Sequence, residues 1–288
     1  MHLKNLHNAP YHFKALVKSH PTLADFVFQN EHGIETIDFA APLAVFHLNK
    51  ALLKHHYKVN DWNIPDGYLC APIPGRADYV HYIFDVLTVE SNTQKIKGLD
   101  IGVGANCIYP ILASQLFNWK MVGSDSDATA IEAAKKNIET TTQLKQNIAI
   151  RLQESKAHIF KGIIKEGEYF DFTMCNPPFY SSEKEASQGT LRKLKKLNGQ
   201  AHFKLNFGGQ ANELWCNGGE ALFIKRMIKQ STAFKTQVGW FTCLVAKSAH
   251  LQAIYKLLEK VGASYKTIPM EQGQKKSRFV AWRFPANG

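Results

Sequence analysis

The sequence YFDFTMCNPPF occupies residues 169–179. Its first seven residues are mostly apolar and aromatic, which predicts a buried strand that ends at the two prolines. A polar amide therefore stands at the end of a buried strand, the place where open α/β sheets bind their ligands. Taken alone, the pattern also fits a proline stop after a core strand, with Asn176 as a turn former.

Four residues of this stretch are predicted to be catalytic: Asn176, Pro177, Pro178 and Phe179. The side-chain carbonyl of Asn176 and the backbone carbonyl of Pro177 can each accept a hydrogen bond from the amino group of a planar amine. The prolines restrict φ, so both acceptors are held in place before a substrate arrives. Phe179 can stack on a base.

A second motif, KGLDIGVG at residues 97–104, predicts a strand that runs into a Gly-x-Gly turn. Such a turn lets a ligand approach the backbone at the start of the following helix. A dinucleotide fingerprint would require a third glycine where Cys107 stands. The spacing of Asp100, Gly102 and Gly104 is instead the pattern of methyltransferases that use S-adenosylmethionine (AdoMet), so these three residues are predicted to bind that cofactor.

The next strand ends in an acidic residue, Asp125. A carboxylate at the end of the second strand is where α/β nucleotide folds bind ribose hydroxyls. Asp127 is better interpreted as the N-cap of the following helix. The order is a glycine turn after strand one, an acid after strand two and N-P-P-F after strand four, which together indicate an AdoMet-dependent methyltransferase of amino groups.

The predicted fold class is α/β. We expect a Rossmann-like class I methyltransferase with a mostly parallel seven-stranded sheet, an antiparallel last strand and a small helical N-terminal region. The predicted division is residues 1–90 for a helical RNA-binding and cofactor-capping region and 91–288 for the methyltransferase domain. The domain carries a basic insertion over residues 180–219, interpreted as a substrate lid because it begins at the proposed catalytic turn.

Charge favours a polyanionic partner. The net charge of the 288 residues is +11, and residues 225–288 contain twelve Lys and Arg against two Glu. A basic end and a basic insertion suit RNA or DNA, although ordinary basic solubility remains an alternative. The candidate RNA-binding residues are Lys184, Arg192, Lys193, Lys195, Lys196, Lys275 and Lys276.

The remaining composition narrows the class of protein. Five widely spaced cysteines without a C-x-x-C motif argue for a reducing compartment and against a disulfide framework. No apolar run has the length needed to span a membrane and the N-terminus lacks a secretory core, so we expect a cytoplasmic protein without a membrane partner. Eight histidines fall within residues 1–60, but no acid or cysteine lies at ligand spacing, so no metal is expected.

Several longer motifs carry a resemblance to a known family. They are DFA at 38–40, PLAV at 42–45, IPDG at 64–67, PGRADY at 74–79, LDIGVGANCIYP at 99–110, CNPPF at 175–179, LNFGGQ at 205–210, ELWC at 213–216 and GQK at 273–275. With these the chain resembles the bacterial ribosomal RNA large subunit methyltransferase F family, which N6-methylates an adenine in 23S rRNA. It is also similar to the eukaryotic methyltransferase-like enzymes that modify U6 snRNA.

The resemblance implies roles for particular residues. Arg76 would meet the AdoMet carboxylate, Gly102 and Asn106 its methionine part, and Asp125 its ribose. Ala157 falls near the loop that would face the adenine of the cofactor. The family often has Glu where this chain has Asp125. The implied partner is 23S rRNA or a large-subunit assembly intermediate, bound by a monomer.

Other functions stay open from the residues alone. The N-P-P-F site would also serve methylation of a DNA adenine or of a protein glutamine. The basic charge argues against a protein substrate but does not distinguish DNA from RNA. A non-catalytic RNA-binding assembly factor that retains the cofactor fold is a further alternative. A redox dinucleotide enzyme is disfavoured by Cys107.

Overall fold

A computed structural model describes residues 1–70, 72–88, 95–178, 218–272 and 275–285. Of the insertion predicted over residues 180–219 as a basic lid, residues 180–217 lie outside these ranges, and Gly219 begins a helix. Also outside these ranges are the predicted site residues Phe179, Lys184, Arg192, Lys193, Lys195 and Lys196.

The centre of the protein is a seven-stranded sheet. Its strands, numbered after the short strands β1 (Val27–Gln29) and β2 (Glu35–Ile37), are β3 (Lys97–Ile101), β4 (Lys120–Asp125), β5 (Ile148–Leu152), β6 (Phe170–Cys175), β7 (Val238–Leu244), β8 (Ser264–Gln272) and β9 (Lys275–Arg283). Their order in the sheet is β5-β4-β3-β6-β7-β9-β8. Strands β3 to β7 are mutually parallel, and β9 is antiparallel to both of its neighbours. The predicted Rossmann-like fold with an antiparallel last strand is therefore confirmed.

Helices cover both faces of this sheet, because its central strands are buried on both sides. The α-helices are α1 (Phe13–Ser19), α2 (Pro42–Tyr57), α3 (Ile73–Thr88), α4 (Ile108–Phe117), α5 (Ala128–Glu139), α6 (Thr142–Asn147), α7 (Gly219–Ser231) and α8 (Leu251–Lys260). Short 3-10 helices span Leu6–Asn8, Pro21–Phe26, Thr232–Phe234 and Ser248–His250.

Two hydrophobic clusters divide the core between the faces of the sheet. One joins the N-terminal helices to α4 and to sheet residues such as Phe172 and Phe279. The other packs α7 and α8 against sheet residues such as Phe241 and Trp282. The N-terminal helices thus share their core with one face of the sheet, which holds α3 close to the carboxyl ends of the strands.

Three local features differ from the sequence interpretation. The prolines and glycines between Asp61 and Ala77 predict an irregular segment with Arg76 at its end, but α3 begins at Ile73 and Arg76 lies inside its first turn. Proline is tolerated in a first helical turn, where its missing N–H has no partner, so Pro74 does not delay the helix. The short helix α6 and a hairpin of β1 (Val27–Gln29) with β2 (Glu35–Ile37) were not predicted.

Some further features bear on the class of protein. Within the described ranges, no helix is both long and apolar enough to cross a membrane. The same residues contain no group of three His, Cys, Asp or Glu side chains that could hold a metal ion. Cys70, Cys107, Cys175 and Cys243 are buried and free.

A partly buried ion pair between Arg151 of β5 and Glu168 stabilises the position of the segment that follows β5. Arg151 donates to both carboxylate oxygens of Glu168 at 2.6 and 2.7 Å and also to the carbonyl of Ile163. The hydrogen bond from Arg151 is the main cause that lowers the pKa of Glu168 to about 2. The pair therefore holds residues 163–168 against the end of β5.

Glu168→Gln is expected to lower stability by about 1 kcal/mol at pH 7, a value discounted for the solvent that screens a partly exposed pair. Because the folded pKa lies below the ordinary value of 4.5, this contribution is present above pH 4.5 and is lost as pH falls towards 2. Thermal melts from pH 7 to pH 3 measure the difference between wild type and variant. Glu132→Gln, which breaks the exposed pair with Lys135, is the control and should leave the melting temperature unchanged. A Glu168 difference that stayed as large at pH 3 as at pH 7 would contradict this account.

Candidate active site

A cavity of about 650 Å³ opens at the carboxyl ends of the parallel strands. Three adjacent strand ends contribute to it: residues 101–103 at the end of β3, residues 124–126 at the end of β4, and Cys175, Asn176 and Pro178 at the end of β6. The sequence predicted this convergence, because the ends of parallel strands meet at one edge of a sheet.

Asn176 faces the cavity with an unused acceptor. Its side-chain oxygen is buried and has no hydrogen-bond partner among the residues that the structure describes. Pro178 lines the cavity, whereas Pro177 is buried and does not. A buried acceptor without a donor costs free energy in the unliganded protein, so its retention indicates that a ligand supplies the donor.

The glycine turn leaves room for a ligand. Gly102 and Gly104 have φ values of +76° and +63°, a region that disfavours residues with a Cβ. A Cβ on Gly102 would meet nothing within 4 Å, so the space beside it belongs to the cavity. Cys107, which stands where a dinucleotide motif has glycine, adopts φ 51° and so keeps a left-handed conformation.

Asp125 accepts backbone hydrogen bonds that fix its side chain, and that side chain also lines the cavity. Its two oxygens accept hydrogen bonds from the backbone N–H groups of Gly104 at 3.0 Å and Asp127 at 3.0 Å. Burial raises its pKa above the ordinary value, and the side chain lines the cavity. These bonds fix the carboxylate beside the glycine turn. The predicted N-cap is also found, since Asp127 accepts from the N–H groups of Thr129 and Ala130.

Asp100 lies behind the cavity rather than in its wall. It is fully buried, neither carboxylate oxygen has a hydrogen-bond partner, and it is absent from the lining. Burial raises its pKa well above the ordinary value, Asp125 adds to the rise, and the positive charge of Arg76 opposes it. Asp100 can therefore act on a ligand only through the turn in front of it.

Arg76 points a cationic group into the cavity. One terminal nitrogen donates to the hydroxyl of Tyr109 at 2.9 Å, and the guanidinium lies 5.4 Å from the centre of that ring. Its Nε is buried and has no acceptor. A carboxylate is the group that would satisfy this donor.

Asn106 lines the cavity, and its side chain also makes hydrogen bonds within the protein. The oxygen accepts from the N–H of Ile108, and the nitrogen donates to the carbonyl of Leu69 at 3.2 Å. The indole of Trp62 donates to the Asn106 backbone carbonyl at 2.7 Å. The segment from Trp62 to Leu69 is thereby held over the glycine turn, and one amide hydrogen of Asn106 remains for a ligand.

Ala157 does not line the cavity, although its neighbours Lys156 and His158 do. The carbonyl of Ala157 accepts a hydrogen bond from Gln230 of α7 at 2.8 Å. Gly104 is likewise outside the lining, where it serves as the donor to Asp125. Sequence reasoning missed the wall formed by α7, to which Leu222, Phe223, Lys225, Arg226 and Lys229 belong.

Lys275 and Lys276 lie at the tip of the β8–β9 hairpin. Leu244 at the end of β7 pairs with Phe279, and Gln272 pairs with Lys275. The residues of β9 before Phe279 therefore extend past the carboxyl end of β7, on the edge that holds the cavity. Lys276 is exposed there.

The residues present fit AdoMet. Arg76 offers an unsatisfied donor for the carboxylate, Gly102 leaves open space, and Asp125 presents a fixed carboxylate of the kind that binds ribose hydroxyls. Asn176 stands at the end of β6 with its free acceptor. Fold and site together define a class I AdoMet-dependent methyltransferase.

Comparisons with known proteins place the chain more narrowly. A family model described as RNA methyltransferase matches residues 1–286. The chain is 58% identical over 284 residues to ribosomal RNA large subunit methyltransferase F of Christiangramia forsetii, with 99% of this chain and 100% of that protein covered. The protein of the same name from Colwellia psychrerythraea is 51% identical, with 99% of each chain covered.

Comparison with solved structures leads to the same class of protein. The catalytic domain of hMettl16 in complex with MAT2A 3′UTR hairpin 6 superposes with a TM-score of 0.82 at 27% identity, covering 100% of this chain and 98% of that one. The N-terminal domain of human METTL16 in complex with SAH gives 0.79 at 26% identity, with 99% of each chain covered. This chain belongs to the RNA methyltransferase family and is an enzyme of that class.

Proposed function

We propose that this protein transfers the methyl group of AdoMet to N6 of a specific adenine in 23S rRNA. The observation that carries the proposal is the buried, unpartnered oxygen of Asn176 at the end of β6. An exocyclic amino group is the donor that this acceptor lacks. The relatives from Christiangramia and Colwellia, whose names specify large-subunit ribosomal RNA, support the choice of substrate.

The chain's own residues would bind and orient the amino group. The Asn176 oxygen and the Pro177 carbonyl would each accept a hydrogen bond from one N–H of the amino group. These bonds would draw the nitrogen towards a tetrahedral geometry, in which its lone pair is no longer delocalised into the ring. Phe179 stacks on the base, a contact worth about 1–3 kcal/mol in single-strand binders. AdoMet, when bound, supplies an electrophilic methyl group. No strong base is needed, because the methylated ammonium is acidic enough to lose its proton to water, so positioning does most of the work.

Cofactor binding would involve the two ends of the cavity. Arg76 holds the AdoMet carboxylate, Gly102 and Asn106 contact the methionine part, and Asp125 binds the ribose. Asp100 and Gly104 do not line the cavity and would support these contacts indirectly, Gly104 through its hydrogen bond to Asp125. The hydrogen bond from Gln230 to the Ala157 carbonyl would fix the loop near the adenine of the cofactor.

The N-terminal residues 1–90 would cap the cofactor and help bind RNA, and residues 91–288 would form the methyltransferase domain. Support comes from the bonds that fix the first turn of α3. The side chain of Asn5 donates to the carbonyl of Pro74 at 3.0 Å and to Asp78 at 2.7 Å, and the N–H of His2 also donates to Asp78. Pro74 and Asp78 flank Arg76, so the N-terminal segment fixes the helix turn that carries it.

RNA would approach along the carboxyl edge of the sheet. The hairpin residues Lys275 and Lys276 reach this edge, and the basic residues of the insertion begin beside Asn176 in sequence. We propose that the protein acts as a monomer in the cytoplasm, on 23S rRNA or on an assembly intermediate of the large subunit. An adenine held in a duplex would first have to leave its stack, whereas one in a loop would not.

The test uses the purified protein, methyl-labelled AdoMet and large-subunit rRNA that lacks modifications. Nucleoside analysis should recover the label as N6-methyladenosine, and ribonuclease pretreatment should abolish its incorporation. The same assay on assembly intermediates separates naked RNA from a particle as substrate. Label in another nucleoside, in DNA or in protein glutamine would overturn the proposal.

A further inference from the structure

One wall of the cavity carries a cluster of basic side chains, four of them Lys or Arg, that a bound AdoMet leaves without an anion. The cluster, here termed the α7 basic cluster, is formed by Lys225, Arg226 and Lys229 of α7 with Lys156 and His158 of the segment after β5. Asp125 is the single acidic residue in the described lining. AdoMet carries one carboxylate, and Arg76 at the other end of the cavity would meet it.

The helix presents these cations on one stripe. Leu222, Lys225, Arg226 and Lys229 follow the i, i+3, i+4, i+7 spacing of a single helical face, and all of them line the cavity. The opposite face of α7 is buried in the core. The direction of the stripe is therefore set by packing and does not depend on a ligand.

Two hydrogen bonds hold the halves of the cluster together. The side chain of Gln230 donates to the carbonyl of Ala157 and accepts from the N–H of Ile159, both at 2.8 Å. Lys156 and His158 alternate with these two residues along the chain. The segment after β5 is thereby clamped beside the last turns of α7, and the cations on both sides face one space.

Among the described residues, the Lys and Arg side chains of the cluster have no ion-pair partner. Within the described ranges, no carboxylate pairs with Lys156, Lys225, Arg226 or Lys229. The Nε of Arg226 is buried and has no acceptor among the described residues. Like charges that are held together without counter-charges repel each other, so an anion that enters the space between them is attracted by all of them.

We propose that the α7 basic cluster binds backbone phosphates of the RNA strand that enters the active site, an inference that rests on the proposed function. Phosphodiester oxygens suit both the unsatisfied guanidinium donor and the lysines. Such contacts fix the position and direction of the strand relative to Asn176 but read no base. The cluster sets the path of the substrate strand across the cavity mouth.

The test compares two double variants with the same change of charge. Lys225→Gln/Lys229→Gln removes two cations of the cluster. Lys145→Gln/Lys260→Gln is the control, because these exposed lysines end α6 and α8 just before β5 and β8 and so lie at the opposite, amino edge of the sheet. RNA affinity is measured against salt concentration without methyl transfer, and AdoMet affinity is measured separately.

The cluster variant should bind unmodified rRNA about tenfold more weakly, and its plot of log affinity against log salt should be shallower by about 1 to 1.5, as expected for two lost phosphate contacts to single-stranded RNA. AdoMet affinity should not change, and the control should match the wild type. An RNA slope equal to that of the control, or a loss of AdoMet affinity alone, would overturn the inference.

Two further measurements distinguish an RNA contact from a free-phosphate site, and failure of this inference from failure of the proposed function. Inorganic phosphate added at constant ionic strength should compete only weakly with RNA, and strong competition would identify a free-phosphate site in place of a strand contact. If the wild type binds RNA through the cluster yet forms no N6-methyladenosine, the proposed function fails while the cluster stands. If the wild type forms N6-methyladenosine but the salt dependence of RNA binding is the same in the cluster variant, the inference about the cluster fails while the proposed function stands.

Discussion

Asn176→Ala is expected to reduce kcat by at least about a hundredfold while AdoMet affinity stays within about twofold of the wild type. The variant removes the side-chain acceptor that would hold the amino group of the adenine. The group would keep its planar geometry, in which the nitrogen lone pair is delocalised into the ring. Single-turnover methylation of rRNA measures the rate, and calorimetry with AdoMet measures the affinity.

The same substitution has an unusual expected effect on stability. The Asn176 oxygen is buried without a donor, so the unliganded protein gains nothing from it. Removing an unsatisfied buried acceptor is close to neutral or slightly stabilising, unlike the loss of a satisfied one. The melting temperature of Asn176→Ala should therefore equal or exceed that of the wild type, which excludes misfolding as the reason for inactivity.

Asn60→Ala is the matched control. Asn60 is exposed, its side chain donates to the carbonyl of Thr140, and it does not line the cavity. This variant should turn over like the wild type. Normal methylation by Asn176→Ala, or loss of its AdoMet binding, would each show that Asn176 has been given the wrong role.

The strand ends could be predicted from the sequence because a parallel sheet brings them to one edge. Gly102, Asp125 and Asn176 are far apart in the chain, yet each lies at the carboxyl end of a buried strand. The pairing of β3 with β4 and β6 places them around one cavity. The alternation of apolar strands and helices was sufficient for the fold class and for the order of the motifs.

The α7 wall could not be predicted in the same way. The apolar spacing of residues 220–230 predicts a helix, but it does not say which strand ends the polar stripe will face. That direction depends on packing against the sheet and on the Gln230 bonds to Ala157 and Ile159, which are long-range contacts. The depth of Asp100 behind the glycine turn depends on the register of β3 with its two neighbours, which the residues do not encode locally.

Arg76→Gln is expected to weaken AdoMet binding about ten- to a hundredfold, the range for losing a hydrogen bond to a charged group. Glutamine keeps a polar side chain of intermediate length but removes the positive charge and the buried Nε donor. The KM for AdoMet should rise, whereas RNA affinity should not change. Tyr109→Phe, which removes only the hydroxyl that orients the guanidinium, should weaken AdoMet binding by a smaller factor of about three.

A change of ligand tests whether Arg76 meets the carboxylate. 5′-Methylthioadenosine retains the adenine, the ribose and the sulfur of S-adenosylhomocysteine but lacks the amino acid part. If Arg76 acts on the carboxylate, the wild type and Arg76→Gln should bind methylthioadenosine equally and differ only for S-adenosylhomocysteine. An equal loss for both ligands would instead mean that Arg76 shapes the cavity through α3 and Tyr109. The unsatisfied Nε favours the first outcome, because a purely structural arginine in this half-buried place would have its donors filled by the protein.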